Sequence, residues 1–149
     1  MSQAPPDVTF EVLDGAAAGA HADELQALYV EVYAEPRGRD EEAARFASRF
    51  RVQRRQPGFV LAEARHGDYL VGYGCGMPLR PATSWWRELT TPLPDDVTAE
   101  HPGRTFALTD LLVRASWRRQ GIGATLHDLI LAGRPEERAT LTVLPAASG

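Results

Sequence analysis

Lysine is absent from this chain of 149 residues: all 16 basic side chains are arginine. That removes Schiff-base chemistry and the lysine of a P-loop. Cysteine occurs once, at Cys75, so no internal disulfide can form. It lies in a strand-like run, where its expected role is that of a small buried hydrophobe. No apolar stretch is long enough to span a bilayer, and no basic-then-apolar leader opens the chain. A soluble cytoplasmic protein without membrane contact is the default expectation. The net charge of −4 argues against nucleic acid as a partner, since phosphate backbones call for a basic face. No His, Cys, Asp or Glu cluster has metal-ligand spacing, so no metal is expected. Ser84, Ser116 and Ser148 lack the context of a nucleophile elbow.

What is there reads as one domain over residues 1–149 with a single sizeable core. Val8, Phe10 and Val12 alternate with polar residues, the mark of a half-buried strand ending at Asp14-Gly15. Leu25, Leu28, Tyr29, Val32 and Tyr33 recur at helical spacing within Ala22 to Ala34, and Pro36 stops that helix. Asp40 is the expected N-cap of a second helix, with Ala43, Phe46, Ala47 and Phe50 buried. Arg45, Arg49, Arg54 and Arg55 should then face solvent. Phe59 to Arg65 and Tyr69 to Leu79, joined by His66-Gly67-Asp68, form a hairpin. Gly72, Gly74 and Gly76 share one face of its second strand, which admits a close neighbour. Arg80 to Arg104 has no clear period and is long for a connection, the property of a functional or disordered loop. Thr105 to Val113 is the next strand, Ile122 to Ala132 a helix, and Ala139 to Leu144 a last strand. The hairpin makes part of the sheet antiparallel and the helical crossover makes part parallel. The expected fold is a mixed α/β sheet with helices on both faces.

The most informative segment is Arg118-Arg119-Gln120-Gly121-Ile122-Gly123-Ala124, between a strand and a helix. Backbone N–H groups at a helix N-terminus, with the positive end of its dipole, suit a phosphate. A P-loop would need Gly-Lys-Ser/Thr, which is missing. The dinucleotide fingerprint is incomplete, because Leu126 stands at its third glycine, and it belongs to a first strand.

The run Arg118-x-x-Gly121-x-Gly123 resembles the Arg/Gln-x-x-Gly-x-Gly/Ala motif of the GNAT superfamily of N-acetyltransferases. Asp110-Leu111-Leu112-Val113 resembles that family's fourth strand, and the order of elements from Val8 to Leu144 is similar. The resemblance implies a GNAT-like acyltransferase fold, acetyl-CoA as cofactor and transfer of acetyl to a primary amine. It implies pyrophosphate on the amides of Arg119, Gln120, Gly121, Ile122, Gly123 and Ala124, with Arg118 opening the motif. It implies a pantetheine arm paired along Leu111, Leu112 and Val113, entering a splayed gap before the fifth strand. The Val113 N–H would serve as oxyanion donor and Asp110 as base or amine anchor. A structural carboxylate at Asp110 is the competing reading.

Asp110 alternates with Leu108 and Leu112, so it should face inward, where burial would raise its basicity. Trp85 and Trp86 in the long loop are expected to wall the acceptor site or to anchor the loop. Asp95, Asp96 and Glu100 would favour a cationic amine beside it; His101 is a weaker candidate. His21 and His66 fall in turns, and His127 on an exposed helical face. The family continues past its fifth strand with a helix bearing a general-acid Tyr, whereas these residues end at Gly149. A longer protein, a partner such as the other half of a homodimer, or a degenerate enzyme would each account for that edge. Two rival readings follow: a catalytically silent acetyl-CoA-binding sensor or partner module, and a structural module whose turn binds nothing.

Overall fold

The computed structural model describes residues 5–33, 38–88 and 91–141. The expectations at Ala34, Pro36, Ser148 and the end of the last strand at Leu144 lie outside these residues. Strand β1 (Val8–Asp14) runs directly into a short helix, α1 (Gly15–Gly19), instead of breaking at Asp14. The Asp14 carboxylate accepts the Ala17 N–H at 2.8 Å and so caps that helix. Helix α2 (Ala22–Tyr33) buries Leu25 and Leu28. Helix α3 (Arg39–Gln53) starts after Gly38, so Asp40 is not its cap. Asp40 sits in the first turn with Glu41 and Glu42, where carboxylates still favour the helix dipole.

The hairpin of β2 (Val60–His66) and β3 (Tyr69–Pro78) turns at Gly67, whose φ of +62° suits glycine. The long connection holds a 3₁₀ turn at Trp85–Glu88 and helix α4 (Asp95–Thr98) before β4 (Thr105–Val113). A 3₁₀ turn at Ala115–Trp117 leads to α5 (Ile122–Leu131) and then β5 (Arg138–Leu141). The sheet order is β1-β2-β3-β4-β5, antiparallel up to β4 and parallel between β4 and β5.

Each face carries its own core. On one, Ile122, Leu126 and Ile130 of α5 lie on Ala62, Ala64, Val71, Phe106 and Leu108. The glycine row of β3 lets α5 come this close: a Cβ on Gly74 would sit 2.6 Å from Ile130 Cδ1. On the other face, Leu25, Leu28, Phe46 and Phe50 cover Leu61, Tyr73, Cys75 and Leu112. Burying each of these phenylalanines contributes about 1.5–3 kcal/mol.

One irregularity sets up the site. Cys75 pairs with Asp110 but Gly76 pairs with Leu108, leaving Thr109 as an extra residue in β4. Alternation therefore slips there. Leu108 packs under α5 while Leu112 belongs to the core beneath α2 and α3. The expected grouping of Asp110 with both leucines is thus half wrong: Asp110 shares a face with Leu112 only, and the bulge is the reason.

Candidate active site

The turn after β4 is built from two left-handed residues, Arg119 (φ +64°) and Gly121 (φ +81°). Gly121 is the N-cap of α5, and the first helical bond runs from Thr125 N–H to Gly121 C=O at 3.0 Å. Among the described residues nothing accepts from the amides of Gln120, Gly121, Ile122, Gly123 or Ala124. Gly123 is required by neither conformation nor packing: a Cβ there would meet only Val113 Cγ2, at 3.7 Å. Five consecutive donors without a partner among the described residues thus line the first turn of α5. That is the chemistry of an anion seat, so the residues fit a pyrophosphate. Ile122 contributes only its backbone, its side chain being sunk in the core. Arg118 reaches back, donating from Nε to the Val113 carbonyl at 2.9 Å, which ties the turn to the strand end.

The edge of β4 continues the pattern. Arg114 N–H donates to the Val71 carbonyl at 2.8 Å, so by strand alternation the Val113 and Leu111 amides point away from β3. On that side the described pairing with β5 covers only Thr105 to Leu108. Leu111 and Val113 therefore present outward N–H groups, while the Leu112 side chain lies in the core. The breadth of any gap beyond Leu141 falls outside the described residues.

About 10 Å back along the strand lies Asp110, at 3.3 Å per residue. It is buried, and its Oδ2 gathers three donors. Arg49 Nη2 lies at 3.2 Å, the Tyr73 hydroxyl at 3.1 Å and Cys75 Sγ at 3.8 Å. No described residue donates to Oδ1. Burial, reinforced by the Asp110 charge, pushes the Tyr73 phenol well above its ordinary value, so it stays a donor. The same two causes raise the Cys75 thiol. Burial alone would lower Arg49, but the Asp110 carboxylate outweighs it and Arg49 ends raised. Tyr29 and Tyr33 of α2 are raised as well, first by burial.

Arg49 corrects the expectation of a solvated arginine stripe. Its guanidinium lies 5.3 Å from the Tyr29 ring centroid and 5.7 Å from that of Phe46, and it donates to Gln53 at 3.2 Å. Arg54 also turns inward, donating to the Gly15 carbonyl at 3.3 Å. Arg45 and Arg55 do face solvent. His21 is more than a turn residue: its Nδ1 lies 2.7 Å from Glu63 Oε2, and Glu63 is fully buried.

The long loop is fastened at the opposite end of β4 from the turn. Trp86 Nε1 donates to Glu100 Oε2 at 2.9 Å, as do Thr105 Oγ1 at 3.0 Å and Arg138 Nη2 at 2.9 Å. Arg138 lies over the Trp86 ring, 5.4 Å from its centroid. Trp85 is half-buried one residue away. His101 makes an exposed contact with Glu137 at 3.3 Å. The turn, the β4 edge and Asp110 thus line one strand, with the Trp86 anchor at that strand's far end. Arg49 and Tyr73 went unnoticed in the sequence because their roles exist only across elements.

The profile of the acetyltransferase (GNAT) family matches residues 22–144. The chain belongs to the GNAT family of acetyltransferases. Solved structures repeat this GNAT fold. Against the aminoglycoside N-acetyltransferase AAC(6')-Iy in complex with the bisubstrate analogue CoA-S-monomethyl-acetylneamine, the TM-score is 0.60 at 8% identity, covering 94% of this chain and 82% of that one. An aminoglycoside acetyltransferase from an uncultured soil metagenomic sample gives 0.59 at 15% identity, covering 94% and 82%. Ribosomal-protein-alanine N-acetyltransferase from Brucella melitensis biovar Abortus 2308 gives 0.52 at 18% identity, covering 94% and 83%. A search of curated proteins finds no match to this GNAT chain. No helix among its described residues is long and apolar enough to cross a membrane.

Proposed function

We propose that this GNAT protein transfers an acetyl group from acetyl-CoA to a primary amine of a small molecule or peptide, in the cytoplasm. One observation carries the reading. Five amides without a partner among the described residues, Gln120 to Ala124, lie at the end of a strand whose outward N–H groups lead back to a buried carboxylate. Acetyl-CoA supplies the acetyl group as a thioester. The amides of the turn hold its pyrophosphate, Arg118 fixes the turn to β4, and Leu111 N–H pairs with the extended arm. Val113 N–H points to the same side and donates to the carbonyl oxygen as it becomes an oxyanion. As the new N–C bond forms, the amine nitrogen becomes cationic and its proton acidic. Asp110 Oδ1, which has no partner among the described residues, accepts that proton; the oxyanion then collapses, the C–S bond breaks, and the CoA thiolate leaves and takes a proton from water.

Calorimetry with CoA tests the turn. Gly121→Val forces a β-branched residue to φ +81° and crowds the phosphates, so affinity should fall about tenfold or more. Equal affinity for both proteins overturns the site. Asp110→Asn tests the chemistry on an amine found by screening: kcat/KM should drop ~10²-fold, with the deficit shrinking as rising pH deprotonates the amine.

A second reading has its own support, since the Asp110 charge is already matched by Arg49. A silent acetyl-CoA-binding module would bind CoA normally yet acetylate nothing in a broad amine panel.

A further inference from the structure

The inference rests on Asp110 as proton acceptor and concerns what makes it one. Oδ2 is saturated by donors from two elements, Arg49 of α3 and Tyr73 and Cys75 of β3, while Oδ1 has none among the described residues. Arg49 could not swing away cheaply. Its guanidinium is wedged by the Tyr29 and Phe46 rings and tethered to Gln53. Phe46 is itself stacked on Phe50, with ring centroids 5.1 Å apart. Half-buried Tyr29 and buried Phe46 thus hold one guanidinium at one oxygen of one carboxylate.

We propose that Arg49 is a positioning residue for acetyl transfer: it locks the Asp110 carboxylate so that Oδ1 faces the acceptor amine. A carboxylate held only by Tyr73 and the thiol would rotate about χ2 and exchange its two oxygens. The reactive geometry would then be a fraction of the population, and kcat would fall in proportion. Lysine cannot replace arginine here. Its point charge lacks the planar fork that lies against Tyr29 and Phe46 while reaching both Asp110 and Gln53.

The test is a cycle of four proteins: wild type, Arg49→Ala, Asp110→Asn and the double variant. Arg49→Lys and Tyr73→Phe join as milder changes. Arg49→Ala should lower kcat about tenfold or more, with CoA affinity by calorimetry within about twofold, because the turn is built from other elements. In the Asp110→Asn background the same substitution should cost nothing further, since its only route of action is gone. Arg49→Lys should share most of the kcat loss. Should Arg49→Ala fail to fold, Arg49→Lys and Tyr73→Phe carry the same cycle, each lowering kcat in wild type and not in Asp110→Asn. Losses that add in the double variant overturn the proposal and leave Asp110 standing. Wild-type kcat for Asp110→Asn overturns both.

Discussion

At the scale of single residues, room decides more than chemistry does. Gly76 of β3 faces the Ala107 carbonyl, and a Cβ there would lie 2.4 Å from that oxygen and 2.6 Å from the Phe106 ring. Neither neighbour can retreat, one being backbone in the adjacent strand and the other a ring packed beneath α5. Gly76→Ala should therefore destabilise the fold by about 1–3 kcal/mol in chemical denaturation. An unchanged midpoint would mean that β3 and β4 are less tightly joined than this geometry requires. Gly123 is the opposite case, where a Cβ would make only an ordinary contact with Val113 Cγ2 at 3.7 Å. Gly123→Ala should leave the denaturation midpoint within about 0.5 kcal/mol of wild type. Its effect should appear in calorimetry with CoA, as weaker binding.

At the scale of elements, the loop between β3 and β4 hangs on one carboxylate. Glu100 Oε2 takes hydrogen bonds from Trp86, Thr105 and Arg138, and its Oε1 is buried without a partner among the described residues. Burial alone would raise Glu100, but those three donors outweigh it and hold it below its ordinary value. A depressed carboxylate stabilises the fold above its unfolded value and loses that contribution as pH falls through the folded one. The loop should therefore loosen below pH 4.5, the ordinary value for glutamate. In a Trp117→Phe background the remaining tryptophans, Trp85 and Trp86, report it. Their emission should shift on acidification, and Glu100→Gln should abolish that step; a step that persists in Glu100→Gln counts against the anchor. The same two tryptophans bear on the acceptor wall proposed for this loop. A saturating amine that leaves their emission unchanged argues against it.

For the molecule as a whole, the fold was legible because each element carries its own period. The helical spacing of Leu25, Leu28 and Val32 and the hairpin around Gly67 need no tertiary information. The turn at Gly121 was legible for a similar reason: its glycines lie within a few residues of each other. The surroundings of Asp110 were not. Arg49 and Asp110 are 61 positions apart, and nothing local tells an arginine that meets a strand from one that meets water. The slip at Thr109 left no trace either, since a bulge needs no special residue type. Its consequence is that β4 is two short strands wearing opposite colours, spliced by one uncounted residue. The first presents Phe106 and Leu108 to α5, the second presents Asp110 and Leu112 to α2 and α3. Deleting Thr109 would restore a uniform beat and leave both halves facing as they do, since alternation puts adjacent Leu108 and Asp110 on opposite faces; ironing out the bulge with Thr109 kept would turn either Asp110 from Arg49 or Phe106 from its helix. The shortened chain should therefore keep its melting temperature and its turnover; loss of both would show that Thr109 does more than take up one position. Which way the chemistry faces is thus set where the ladder skips one position, at a residue that contributes no reactive group.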